Sequence, residues 1–183
     1  MRWLLTGATG FIGLTLAERL RARGQAVRAL ARASSRVEEL AGLGVELARG
    51  DVIDPRSLPA AVDGCEVVVH LAGLTKALGL EEYRRVNALG ARHVAAACLE
   101  ARPRPALVLV SSLAAAGPAR PGRPRREEDP PAPVSDYGRS KLEGEEEVRA
   151  LCGRLEATVV RPPLVYGPRD REVLPPRFRM TRL

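Results

Sequence analysis

The sequence predicts an α/β fold, a doubly wound parallel sheet with helices on both faces. Three observations predict it. Apolar runs of strand length alternate with helical patterns along the whole chain of 183 residues, the order that crossover-connected parallel strands produce. Apolar residues make up 45% of the composition and aromatic ones only 3%. The core must then be built from Leu, Val, Ala and Ile, which suits strands buried on both faces. Finally, the short apolar run Arg2–Thr6 (RWLLT) passes directly into Gly7, Gly10 and Gly13 and then into a helical repeat.

The elements follow in order. After the first strand, Phe11, Ile12, Leu14, Leu16, Ala17 and Leu20 recur at helical spacing. Residues 26–31 (AVRALA) read as a second strand, 34–43 as a short amphipathic helix and 45–48 as a third strand. Asp54 has the character of an N-cap, with Pro55 at the first helical position of a short helix running to about Val62. Residues 66–71 (EVVVHL) form a fourth strand, 81–101 a long helix and 106–111 (ALVLVS) a fifth strand. A helix over 136–152 and a sixth strand over 157–160 complete the pattern. The length is that of one domain, assigned here to residues 1–168 with a short tail at 169–183. In such a sheet a ligand lies at the carboxyl ends of the strands.

Bulk properties exclude several functions. The net charge is +7, but only Lys76 and Lys141 are lysines; the other 27 of the 29 basic residues are Arg, scattered without aromatic interleaving. That is not the clustered basic face of a nucleic-acid binder. The surplus charge suits attraction of an anionic cofactor or substrate. Cys65, Cys98 and Cys152 match neither a zinc spacing nor a disulfide framework, so the expectation is no metal and a reducing, cytoplasmic compartment. No run is long enough to span a membrane. Met1 to Leu5 leads straight into the first strand, so no signal peptide is expected.

The glycine turn carries the first chemistry. A strand, a tight Gly turn and a helix N-terminus together suit a pyrophosphate. The first Gly permits the turn, the second lets phosphates approach the backbone and the third lets helix and strand pack closely. A tight strand–helix turn with no ligand uses the same glycines. After the second strand no acidic residue is present to bind a ribose 2′-OH. Arg32, with Ser34, Ser35 and Arg36 nearby, suits a 2′-phosphate, which leans the reading towards NADP over NAD. A surface Arg in an Arg-rich chain is the alternative. Asp51 and Val52, in GDVID, end the third strand where an adenine would lie, or form an ordinary strand-to-helix turn. His70 ends the fourth strand and reads as a satisfied structural residue in preference to a catalytic one. The loop from Gly117 to Pro133 holds six of the fifteen Pro and four Arg, and reads either as a substrate lid or as a solvated Pro-rich loop.

The second chemistry is at Ser112, Tyr137 and Lys141. Tyr137 and Lys141 (YGRSK) are one helical turn apart and share a face. A neighbouring ammonium favours a phenolate, and a Ser hydroxyl at the adjoining strand end holds a substrate oxygen. Together they make a proton-transfer site for interconverting carbonyl and alcohol. A chain that uses Arg almost everywhere has Lys here, and Arg would not play the same part.

With TGATGFIG (Thr6 to Gly13), GDVID, HLAG, VSS, YGRSK and RPPLVYGP (Arg161 to Pro168) in place, the chain resembles the extended short-chain dehydrogenase/reductase family, also called the NAD-dependent epimerase/dehydratase family. The resemblance covers essentially residues 1–170 and explains the TGxxGxxG spacing. It implies a Rossmann-type sheet, an NAD or NADP cofactor and a small-molecule substrate. It implies Tyr137 as acid/base, Lys141 on the nicotinamide ribose and Ser112 orienting the reacting oxygen. Gly7, Gly10, Phe11, Ile12 and Gly13 would cradle the pyrophosphate. Asp51 and Val52 would meet the adenine, Leu71 and Ala72 the ribose side, and Asn87 would lie near the cofactor.

Two departures qualify it. Leu164 stands where many members have Asn, and members normally continue into a small substrate domain after RPxxVYGP. Residues 175–183 have weak core patterning, and the expectation is a truncated or frame-shifted product, or a deliberate fragment. The implied activity is hydride transfer at a C–OH or C=O. The alternative is a dinucleotide-binding module with little or no turnover. Helices 81–101 and 136–152 imply a possible homodimer, and the Glu143, Glu145, Glu146, Glu147 run reads as a solvated face.

Overall fold

The computed structural model of the chain describes residues 1–170; of the tail expected over 169–183, all but Arg169 and Asp170 lie outside the described residues. Six strands form one sheet: β1 Arg2–Thr6, β2 Ala26–Ala31, β3 Glu46–Arg49, β4 Val67–His70, β5 Ala106–Val110 and β6 Ala157–Val160. Their order is β3-β2-β1-β4-β5-β6, and every pairing is parallel. The chain starts in the middle, winds out to one edge, returns beside β1 and winds out to the other edge. Connections leaving β1 and β4 therefore diverge, and a crevice opens between their carboxyl ends. Register brings Thr6 level with Leu30 on one side and His70 on the other, so the functional ends of the strands are aligned.

Two cores, with no buried aromatic ring among the described residues, cover the two faces. Successive residues of a strand point to opposite sides, and β1 divides accordingly. Leu4 joins Val68, Leu107 and Leu109 against α3 (Leu58–Val62), α5 (Leu89–Glu100) and α7 (Asp136–Arg149). Leu5 joins Val27, Ala29 and Val69 against α1 (Phe11–Ala22) and α2 (Glu38–Gly42). The doubly wound arrangement expected from composition is the one observed.

Local departures have local causes. The helix expected over 34–43 begins only at Glu38, because Ser35 turns the chain first: its hydroxyl accepts from Arg32 N–H at 3.1 Å and its own N–H reaches the Arg32 carbonyl at 3.0 Å. The helix expected over 81–101 is two helices, α4 (Leu80–Asn87) and α5, separated at Ala88. There α7 comes so close that a Cβ on Gly144 would lie 2.6 Å from the Asn87 carbonyl oxygen. The helix expected over 136–152 ends at Arg149. Asp54 caps as expected, accepting from Arg56 N–H at 3.2 Å, but Pro55–Ser57 is a 3-10 turn ahead of α3.

A short helix unanticipated by the sequence, α6 (Leu113–Ala116), leads into the loop of residues 117–133. The loop closes on itself. Ala132 N–H bonds to the Ala116 carbonyl at 2.9 Å, and Gly117 adopts φ +84 where any Cβ would strike the Ala132 carbonyl. Arg125 donates to the Pro118 and Pro130 carbonyls, and Arg123 pairs with Asp129 at 2.8 Å.

Candidate functional site

The glycine turn sits at the mouth of the crevice. Gly7 follows β1 with φ +69, and a Cβ there would lie 2.6 Å from Ala72 N and 2.8 Å from the Leu71 carbonyl carbon. The turn thus lies against the end of β4, bringing Leu71 and Ala72 beside it. A Cβ on Gly13 would overlap the Gly7 carbonyl oxygen, so α1 packs on the turn only because residue 13 is glycine. Gly10 is the N-cap of α1 and no side chain caps the helix; its N–H bonds to the Gly7 carbonyl at 3.0 Å. The first-turn amides of Phe11, Ile12 and Gly13 are therefore left for another acceptor. These features fit a dinucleotide pyrophosphate, both sterically and electrostatically.

Arg32 is exposed at the end of β2, on an open cleft of about 730 Å3 that Arg49, Asp51 and Ser57 also line. Arg49, at the end of β3, donates to the Arg32 carbonyl at 3.1 Å. Two guanidinium groups therefore flank the cleft. Sequence reasoning missed Arg49, whose signal was its position two residues before Asp51. The Asp51 carboxylate accepts from Ile53 N–H at 3.2 Å, and its N–H donates to Ser57 Oγ at 3.0 Å. Val52 is buried, with its carbonyl 2.9 Å from His93 Nδ1.

The third group gathers at the ends of β4 and β5. Lys141 is buried, its ammonium donates to the Val110 carbonyl at 2.8 Å, and a Cβ on Gly73 would be 3.7 Å from Nζ. Burial pulls its pKa down to about 8 against an opposing pull from Glu145. Tyr137 is half-buried one turn earlier, with its ring tilted 60° against Tyr83 at 5.9 Å. Tyr83 was also missed; its hydroxyl donates to the Thr75 carbonyl at 3.2 Å. Ser112 is the N-cap of α6, accepting from Ala114 N–H at 3.1 Å, which leaves its hydroxyl proton to donate.

Asn87 is buried and fully engaged. It accepts from Leu74 N–H at 2.8 Å and donates to the Leu74 carbonyl and to Ser140 Oγ. It pins the segment after β4 to α7, beside Lys141. His70 is buried with Nδ1 2.6 Å from Thr6 Oγ1. Burial, reinforced by Lys141, lowers its pKa to about 3, so the ring is neutral, in keeping with a structural residue.

One expectation is corrected. Glu145 does not belong to a solvated run: it is completely buried, with hydrogen bonds from Ser111, Arg149 and Arg161. A run of four Glu in five positions masks it. The available signal was its spacing, eight residues after Tyr137 and four after Lys141 on the inner face of α7.

A doubly wound sheet with a glycine cradle at its switch point defines a dinucleotide-binding α/β domain. The family model described as the NAD dependent epimerase/dehydratase family matches residues 3–182, and the chain belongs to that family. It is 41% identical over 170 residues to a ceramide reductase of Caulobacter vibrioides, covering 93% of this chain and 48% of that protein. To a UDP-glucose 4-epimerase of Vibrio cholerae it is 31% identical, covering 90% and 52%. Among solved structures, the UDP-glucose 4-epimerase of Thermus thermophilus in complex with NAD superposes with a TM-score of 0.82 at 31% identity, covering 93% of this chain and 57% of that one. The chain spans about half the length of the curated relatives it matches. Among the described residues no helix is long and apolar enough to cross a membrane.

Proposed function

We propose that this chain is an NAD(P)-dependent oxidoreductase or epimerase of the extended short-chain dehydrogenase type, acting at a substrate C–OH or C=O. The observation that carries the proposal is the position of Lys141: buried, tied to the Val110 carbonyl at 2.8 Å and one turn from Tyr137. The bound dinucleotide supplies the hydride donor or acceptor. The Tyr137 hydroxyl gives or takes the proton of the substrate oxygen, and the Lys141 ammonium favours its phenolate. The Ser112 hydroxyl donates to the same oxygen. Gly7, Gly10, Phe11, Ile12 and Gly13 hold the pyrophosphate; Asp51 and Val52 lie on the adenine side, Leu71, Ala72 and Asn87 on the ribose side. Reduction of a carbonyl and epimerisation at an alcohol share this step, which accords with relatives named as a reductase and an epimerase.

Arg32 and Arg49 support NADP over NAD, because two guanidinium groups suit a 2′-phosphate. The proposal includes a small-molecule substrate, a cytoplasmic location and a homodimer built on α4, α5 and α7. A second reading, a dinucleotide-binding module with little or no turnover, is favoured by apolar side chains exposed after β5 and β6: Leu113, Leu164 and Tyr166 are 49%, 58% and 67% exposed.

The test is titration with NADPH and NADH followed by a panel of carbonyl substrates. Binding with turnover supports the enzyme, and binding alone supports the module. Tyr137→Phe should leave binding largely intact and lower turnover by about 100-fold or more; full turnover in this variant refutes the role of Tyr137. Folded protein that binds neither nucleotide refutes both readings.

A further inference from the structure

We propose that Glu145 is a positioning residue for the reaction site: its carboxylate locks α7 onto the ends of β5 and β6 and serves as counter-charge to the Lys141 ammonium. The proposal takes the role of Lys141 from the reading above, but the arrangement itself is independent of that reading.

Tyr137, Lys141 and Glu145 are spaced four residues apart on α7, so successive turns present them along one face. Lys141 holds the Val110 carbonyl at 2.8 Å, and Glu145 accepts from Ser111 Oγ at 2.5 Å. Two turns of the helix thus grip two consecutive residues of the β5 exit, and the next residue is Ser112. On its other side Glu145 takes both Nε and Nη2 of Arg161, at 2.8 and 2.6 Å. Arg161 directly follows β6, and the carbonyl of the next residue, Pro162, accepts from Leu113 N–H at 3.1 Å. Arg149 completes the set at 2.7 Å. One carboxylate therefore joins the helix bearing Tyr137 and Lys141 to both strand ends around Ser112.

Such a group is not an economical fastener. An ion pair buried to this depth is often no more stabilising than well-packed apolar residues. Its charge has a use here. Lys141 is itself buried, and a buried ammonium is destabilised unless an anion is near. The charged and titratable groups facing it can be named. On α7 they are Tyr137 and Glu145; on β4 His70 is neutral; after β6 Arg161 is paired to Glu145; Tyr83 of α4 lies behind Tyr137. Glu145 is the anion among them, one turn further along α7, and its charge draws the Lys141 pKa upward against the effect of burial.

Because Lys76 and Lys141 are the only lysines, lysine-selective 13C labelling of the whole chain resolves Lys141, with Lys76→Arg giving the assignment. The chain is titrated without dinucleotide. Glu145→Gln should lower the Lys141 midpoint by about one pH unit, since it removes the anion and uncovers Arg161. Arg149→Gln, at a residue whose side chain is 46% exposed, should raise it, since Glu145 is then less neutralised. Unchanged midpoints in the folded variants overturn the proposal. If Glu145→Gln does not fold, Arg149→Gln decides alone: a rise supports the proposal and no change overturns it. Failure of dinucleotide binding refutes the proposed function without altering this titration.

Discussion

The Lys141 ammonium and the Val110 carbonyl meet at 2.8 Å, tying the second turn of α7 to the last residue of β5. The bond satisfies one donor of a charge that is otherwise buried, and the remaining cost is visible in a pKa lowered from 10.5 to about 8. The folded state therefore releases this proton near pH 8 while the unfolded state holds it to about 10.5. Between these values the unfolded state binds more protons, so this group makes stability rise with pH. Below pH 8 both states are protonated and the full burial cost applies, on the order of 3 kcal/mol. Lys141→Met should be more stable than the parent chain at pH 7, with the gap narrowing as pH rises towards 10. Urea denaturation at several pH values checks this. The same variant should lose turnover.

His70 gives the matching prediction in acid. Its ring stays neutral in the fold down to about pH 3, whereas the unfolded ring takes a proton near 6.5. Its contribution is fully present above pH 6.5 and is lost as pH falls towards 3. His70→Gln should show a weaker dependence of stability on pH across that window than the parent chain. Denaturant midpoints at pH 7 and pH 4 measure the difference.

Gly7→Ala tests the cradle. The substitution puts a Cβ on a residue at φ +69, within 2.6 Å of Ala72 N. Backbone atoms on both sides must move, and the expected loss is at least about 2 kcal/mol. The melting temperature should fall, and titration with NADH should show weakened binding even where the protein is still folded. Gly24→Ala is the control: it has comparable φ, +71, with nothing within 4 Å, so it should weaken stability but not nucleotide binding.

Arg32 and Arg49 predict cofactor choice. Replacing either by Ala should reduce the preference for NADPH over NADH by about tenfold, the equivalent of one charge-assisted contact of roughly 1.4 kcal/mol. Loss of affinity for both nucleotides in equal measure would argue that the cleft does not hold the 2′-phosphate.

Much of this arrangement is legible in the sequence, for reasons that differ by residue. The strands are readable because each is a short apolar run, and their parallel order follows from the helices between them. Ser112, Tyr137 and Lys141 are readable because each carries a distinct chemical group at a strand or helix start. Glu145 is hidden because a carboxylate in an acidic run looks solvated; burial comes from Arg161, sixteen residues away. The break at Ala88 is hidden because it arises from the close passage of Gly144 in another helix. Arg49 reaches Arg32 only through the pairing of β2 with β3, a relation of register that local pattern does not carry.

The closed neck of the 117–133 loop separates two lengths that the sequence runs together. Tyr137 comes twenty-five residues after Ser112, yet Ala116 and Ala132 are joined by a hydrogen bond of 2.9 Å. The excursion between them is a cassette hung from a fixed clasp. Its content can lengthen, shorten or exchange charge while the clasp keeps its gauge, so a lineage can revise this loop without moving Ser112 and Tyr137 on either side of it.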